Sequence, residues 1–178
     1  MSASTIIPRP SARTVLTSPV HLIAFGFGAG LAPRAPGTFG TLVGIPFWLA
    51  MSGLPPLPYI IATLAMFVLG CWVCGRSADM LGVHDYGGIV FDEVVGYLIT
   101  ALPMLPGSGL ASPHGWMGIA LAFVLFRIFD IAKPWPIRLL DRHVGGGFGI
   151  MIDDVLAGVF AAVSMVALDA GWQRFAVP

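Results

Sequence analysis

Five carboxylates on three short segments hold most of the chemistry this chain can offer: Asp92-Glu93, Asp130 and Asp153-Asp154. Asp85 and Asp141 stand close by, so seven of the nine Asp and Glu residues interrupt otherwise uncharged sequence on these few segments. Arg34, Arg76, Arg127, Lys133, Arg138 and Arg142 interrupt it in the same way. The rest is largely Leu, Val, Ile, Ala, Phe and Gly, and only 10% of the chain is charged. An ionisable group near a membrane is costly and usually serves a purpose. Acids gathered beside several cations suit a divalent metal and a phosphorylated substrate. Mg²⁺ takes hard oxygen ligands and binds through one or two carboxylates plus substrate phosphate.

Each motif also has a plainer explanation. In Gly26-Phe-Gly-Ala-Gly-Leu-Ala-Pro-Arg34-Ala-Pro-Gly37-Thr38-Phe-Gly40-Thr41 the glycines allow close backbone approach, and free N–H groups at a helix start bind anions. Thr38 or Thr41 could cap that helix, and Arg34 would add a cation for phosphate. A Gly-rich turn before a membrane helix, with Arg34 as an anchor, accounts equally for these residues. The G-x-G spacing is not a dinucleotide fingerprint, and no strand pattern precedes it. Asp92-Glu93 opens an apolar helix, where unpaired acids are expensive. The helix dipole explains one such acid better than two. His84 and Asp85 are weaker candidates for orienting that loop. Arg127, Asp130 and Lys133 recur every three residues and share one helix face, either as ligand and phosphate contacts or as a salt-bridge ladder. Pro134 and Pro136 stop that helix. Gly145–Gly149 reads as a flexible loop closing over substrate and leading into Asp153-Asp154 at the start of another apolar helix. The repeated acid pairs favour metal over dipole.

Other chemistries are disfavoured. Cys71-Trp-Val-Cys74 has redox spacing but lies in an apolar run without a βαβ pattern, so the two read as small membrane-helix residues. No C-x₅-R loop, D-x-D-x-T, G-x-S-x-G elbow or paired zinc knuckle occurs. Activated water is left as the nucleophile. Zero net charge gives no reason to expect nucleic acid.

These groups must be positioned by apolar elements. The 178 residues suffice for one domain, and 57% are hydrophobic, with a mean hydropathy of +0.88. No charge occurs over 41 residues from Ala35 to Gly75, over 33 from Val94 to Phe126, or from Val155 to Leu168. A spanning helix needs about 20 apolar residues. The first run therefore predicts spans near Thr38–Ser52 and Leu57–Cys74 with a turn at 53–56. The second divides at 103–115, and its short halves recruit residues around Phe91 and Ile128. The third predicts a helix beginning near Asp153. Val20–Leu31 suits a re-entrant or interfacial segment, and residues 1–18 a flexible cytoplasmic extension rather than a removed signal peptide. Residues 19–178 then form a single helical membrane domain. The expected fold class is all-α, a membrane bundle of four to five short spans. Hairpin topology brings eight of nine basic residues to one side, the cytoplasmic one by the positive-inside rule.

Four strings together carry a resemblance: F-G-x-G-L-A-P-x-A-P-G-T-x-G-T, H-D-x-x-x-I-V-F-D-E-V-V-G-Y, F-R-x-F-D-I-x-K-P-W-P-I-R and G-G-x-G-I-M-I-D-D-V-L-A-G. In order, and over roughly Phe25 to Ala161, they resemble the phosphatidylglycerophosphatase A family. The resemblance implies a helical bundle with a central helix. It also implies a Mg²⁺-dependent lipid phosphatase of the bacterial inner membrane, converting phosphatidylglycerophosphate to phosphatidylglycerol and phosphate. On that basis Asp92, Glu93, Asp153 and Asp154 are expected to hold Mg²⁺, with Asp130 a fifth ligand or the water-orienting base. Arg34, Arg127, Lys133 and Arg138 are expected to neutralise the terminal phosphate, with backbone donors from the Thr38–Thr41 loop. Two other classes compete. A small transporter or ion-binding protein would place acids near the midplane of repeated halves. A structural membrane subunit would need no metal.

Overall fold

The computed structural model describes residues 9–83, 86–108 and 115–176, with 141–142 and 175–176 described as backbone only. His84 and Asp85 lie outside the described residues. Eight α-helices and two 3-10 segments account for the described chain, which contains no strand, so the all-α class holds.

Local signals set most boundaries. Ser11 caps α1 (Ala12–Thr17) by accepting from the Thr14 N–H at 3.0 Å, and Val15 of this helix is fully buried. Ser18 and Pro19 begin α2 (Pro19–Ala24), which runs into a kinked 3-10 segment, Gly26–Leu31. Pro36 at the first position starts α3 (Pro36–Met51), and the Ser52–Pro55 turn leads to α4 (Pro56–Leu81). Gly82, with φ +68°, closes α4 in the left-handed conformation that glycine adopts at little cost. The helix α5 (Phe91–Thr100) is followed by a 3-10 turn, Leu102–Met104. The chain then forms α6 (Gly115–Ala132), α7 (Ile137–His143) and α8 (Gly146–Ala176).

The centre of the bundle is α5, which packs against α3, α4, α6 and α8. Nearly all of it is buried, from Phe91 to Thr100. Its neighbours come close because side chains are missing where they touch. A Cβ on Gly96 would lie 2.4 Å from the Phe126 ring of α6, and one on Gly158 of α8 would lie 2.6 Å from the Gly96 carbonyl. Such contact distances leave no room for even a methyl group.

Among the described residues, three helices have the length and apolarity to cross a membrane: Pro56–Leu81, Gly115–Ala132 and Gly146–Arg174. Only 28%, 22% and 44% of their most apolar stretches are buried inside the protein. Their outer faces carry large exposed side chains, such as Ile61, Val68 and Trp72 on α4 and Val163 and Trp172 on α8. A soluble bundle rarely exposes so much contiguous apolar surface. The expected count of four to five spans is corrected to three of full length. At 16 and 10 residues, α3 and α5 are too short to cross unaided. The expected start of the last helix moves as well. Residues Gly146–Gly149 are its first turn rather than a loop, because glycine lets α8 begin against α4. A Cβ on Gly147 would sit 1.7 Å from the Cys71 carbonyl oxygen. The closing-loop reading of this segment is therefore withdrawn.

Candidate active site

The starts of α3, α5 and α8 and the end of α6 converge at one end of the bundle. Asp92 and Glu93 occupy the first turn of α5, half-buried where that helix meets α8 and α3. Asp153 and Asp154 come from the third turn of α8 and are both buried. Between these helices lies a polar cavity of about 140 Å³, lined by Asp92, Glu93, Asp130, Lys133, Asp153 and Asp154. Five of the acids singled out from the sequence thus meet at one place.

Within the cavity they divide. Ligand oxygens of Asp92, Glu93 and Asp154 all lie within 4.8 Å of one another. Glu93 Oε2 is buried and accepts no hydrogen bond. Burial, and next the neighbouring Asp154 carboxylate, push the Glu93 carboxyl up to about 8. Three carboxyl groups in a water-poor space repel one another when ionised, which a cation between them would reverse. All the donors are hard oxygens, so this trio fits Mg²⁺. Asp153 and Asp130 are each in direct contact with a cation, whereas a cation reaches Glu93 only at 3.9 Å. Lys133 Nζ donates to Asp153 Oδ2 at 2.5 Å, and Arg127 is in direct contact with Asp130.

The Arg127–Asp130–Lys133 face is therefore part ladder and part bridge. Arg127 and Asp130 pair along α6. Lys133 follows the last residue of α6 with a left-handed φ of 40° and reaches across to α8. Arg127 also links α3 to α5: its Nη1 lies 3.9 Å from Glu93 Oε1 and 3.5 Å from Thr41 Oγ1.

Thr41 and Thr38 require a correction. Neither caps α3, and neither belongs to a loop of free donors. Ala35 is the cap residue, in the left-handed conformation with φ 47°. Both threonines lie inside the helix, where the Thr38 N–H donates to the Ala35 carbonyl at 3.0 Å and the Thr41 hydroxyl donates to the Gly37 carbonyl at 2.9 Å. The reason is that Pro36, suited to the first helical position, starts the helix ahead of either threonine. Thr41 instead positions Arg127. The nearby glycines of Gly26–Leu31 pack on another loop and not on the acids: a Cβ on Gly30 would meet the Gly88 carbonyl oxygen at 1.9 Å. Arg34 is exposed in the turn before α3, and Arg138 is exposed on α7, outside the acid-lined cavity.

One site residue escaped the sequence reading. A Cβ on Gly37 would lie 2.1 Å from Glu93 Oε1 and 3.1 Å from Arg127 Nη1, so the bare glycine lets α3 close over this pair without displacing the Glu93 carboxylate. The available signal was the spacing of Gly37, Gly40 and Gly44, which puts a bare stripe on one helix face.

A sequence model of the phosphatidylglycerophosphatase A family matches residues 22–169. The chain belongs to the phosphatidylglycerophosphatase A family. It is 44% identical over 172 residues to the phosphatidylglycerophosphatase A of Escherichia coli K12, covering 94% of this chain and 96% of that protein. It is 43% identical over 162 residues to the Haemophilus influenzae protein of the same name, covering 89% and 94%. A Bacteroides thetaiotaomicron protein, provisionally named a phosphatidylinositol-3-phosphatase, is 39% identical over 147 residues, covering 80% and 88%. No solved structure matches the chain. Membership of this family makes the protein a phosphatase, with the converging acids as its candidate active site.

Proposed function

We propose that this phosphatase removes the terminal phosphate of phosphatidylglycerophosphate in a Mg²⁺-dependent reaction, releasing phosphatidylglycerol and inorganic phosphate, at the cytoplasmic face of a bacterial inner membrane. The names of the two relatives above 40% identity support the substrate. The observation that carries the mechanism is the close trio of half-buried Asp92 and Glu93 with buried Asp154, whose mutual repulsion calls for a cation.

In this reading Asp92, Glu93 and Asp154 hold Mg²⁺, with Asp153 on the cavity wall beside them. When bound, the ion supplies charge stabilisation to the phosphoryl oxygens. The protein's own groups do the rest. Arg127 and Lys133, each already anchored on a carboxylate, present fixed positive charge to a phosphate entering the cavity, so little reorganisation accompanies the reaction. Asp130, held by Arg127, orients the attacking water. The water oxygen forms a bond to phosphorus as the bond from phosphorus to the glycerol oxygen breaks, and the water's proton ends on the departing glycerol hydroxyl. Arg34 is the peripheral cation that attracts the headgroup. The diacylglycerol stays outside, along apolar helix faces that the three spanning-length helices provide.

The test is phosphate release by detergent-purified protein supplied with phosphatidylglycerophosphate, in Mg²⁺ and then in EDTA, with phosphatidylinositol 3-phosphate as the rival substrate. Release from phosphatidylglycerophosphate that stops in EDTA is expected. Release that ignores EDTA would remove the metal from the mechanism, and a preference for the inositol lipid would reassign the substrate.

A further inference from the structure

The acid-lined cavity has a neighbour. Lys133 lines it on one side and, on the other, lines an open groove of about 510 Å³ formed with Pro134, Trp135, Arg138, Leu139 and His143. The groove belongs to the α6–α7 turn and to α7. Its chemistry differs from that of the cavity. No acid lines it among the described residues, while Arg138, His143 and the shared Lys133 do. The His143 Nδ1–H donates to the Leu139 carbonyl at 2.7 Å, which leaves Nε2 as the ring nitrogen available to a ligand. Beside these polar groups Trp135 is 81% exposed and Leu139 48% exposed. Along the adjoining turn of α6, Ile128 and Ile131 are exposed too. A cationic groove bordered by an exposed Trp and aliphatic side chains suits the headgroup level of a bilayer.

A lipid whose terminal phosphate lies in the cavity must leave it toward the membrane, and its headgroup carries a second anion. In phosphatidylglycerophosphate a phosphodiester sits one glycerol away from the scissile phosphomonoester. It carries one negative charge and needs a cation outside the acid trio. We propose that the α7 groove is the phosphodiester subsite, with Arg138 as its anchoring residue, His143 in support, and Lys133 at the junction between the two phosphates. This rests on the substrate reading above. It separates Arg138 from the cations that face the scissile phosphate. Arg138 becomes a specificity-determining residue that distinguishes a lipid with both phosphates from one with a phosphomonoester alone.

Product inhibition tests this directly, because the two products divide the substrate's anions. Phosphatidylglycerol keeps the diester, and inorganic phosphate represents the monoester. In Arg138→Gln, mixed micelles should show a KM for phosphatidylglycerophosphate raised about tenfold, the order expected for a lost charge-assisted contact, with kcat little changed. Inhibition by phosphatidylglycerol should weaken by a similar factor, while inhibition by inorganic phosphate stays as in wild type. Arg138→Lys should recover part of the loss, and His143→Gln should give a smaller change in the same direction. Weaker phosphate inhibition with unchanged phosphatidylglycerol inhibition would place Arg138 on the scissile phosphate and overturn the assignment. Unchanged values for both inhibitors in both Arg138 variants would overturn it as well. Wild-type protein that fails to hydrolyse phosphatidylglycerophosphate sinks the substrate reading instead, so the two failures are told apart. Should Arg138→Gln not fold, Arg138→Lys and His143→Gln carry the same comparison.

Discussion

On the α5 side of the cavity three carboxyl groups crowd together, with one guanidinium 3.9 Å from Glu93. On the α6 side, Asp130 and Asp153 each have a cation in direct contact. Both regions are built from acids and basic residues of the same short segments, but the α6 side sets each acid against a cation at contact distance while the α5 side sets acids close to one another. A carboxylate in contact with a cation is balanced locally, whereas a close cluster of like charge is relieved by protons or by a cation placed among its members. The difference divides the labour, with the trio available for a metal and the paired acids fixing the positions of Arg127 and Lys133.

The comparison breaks most sharply at Asp154. If the trio is the metal site, Asp154→Asn should reduce Mg²⁺-dependent phosphate release on the order of 100- to 1000-fold, as when one charge-stabilising group is taken from a reaction centre. The melting temperature gives an independent reading. Without metal the variant loses a source of repulsion and should melt no lower than wild type in EDTA. Wild type should gain stability on Mg²⁺ addition, by about 2.7 kcal/mol at 100 times Kd, and the variant should not. An Asp154→Asn protein that keeps both turnover and the Mg²⁺-induced shift would rule out the trio.

The paired side should answer differently. Lys133→Met leaves Asp153 buried without its lysine, which costs stability by about 1–3 kcal/mol. Activity should fall by a lesser factor than at Asp154, about 10- to 100-fold, since one phosphate cation is lost while the trio is intact. Adding Asp153→Leu should restore the melting temperature, because an apolar pair can replace a buried ion pair at little or no cost. Activity should stay low. Recovery of both together would mean that the pair is only a brace.

How far the sequence foretold this arrangement depends on what each residue had to report. The α3–α4 hairpin was legible, since an uncharged run interrupted by Gly53-Leu54-Pro55-Pro56 leaves little freedom, and α4 starts at Pro56, one residue before the expected Leu57. The converging acids were legible for the same reason: hairpins return charged ends to one side. The division between trio and pairs was not. Consecutive residues on a helix point about 100° apart, so Asp153 and Asp154 face different neighbours, and which neighbours depends on how α8 is rotated against α5 and α6. The glycines misled because glycine serves both loops and close contacts. Gly145–Gly149 reads as flexible until the Cys71 carbonyl is seen against Gly147. The shortness of α5 was hidden by the apolar sequence that continues beyond it into a 3-10 turn.

Gly37 offers the mildest break, and it probes the seam between the two regions. It lies on neither side chemically, yet its missing side chain allows Glu93 Oε1 and Arg127 Nη1 to approach each other beneath α3. In Gly37→Ala the new methyl group would have to displace Glu93, whose carboxylate is the far end of a flexible side chain, so the backbone need not move far. The strain of overpacking is about 1–3 kcal/mol, offset in part by the better helix propensity of alanine, roughly 1 kcal/mol. A small net change in melting temperature is therefore expected. The effect on Mg²⁺ should exceed the effect on the fold: the metal concentration giving half-maximal phosphate release should rise about tenfold, with turnover at saturating Mg²⁺ largely retained, because a displaced ligand can be drawn back by enough cation. If Gly37→Ala lowered turnover at every Mg²⁺ concentration and left the half-maximal concentration unchanged, the glycine would be serving Arg127 and the phosphate instead of Glu93 and the metal.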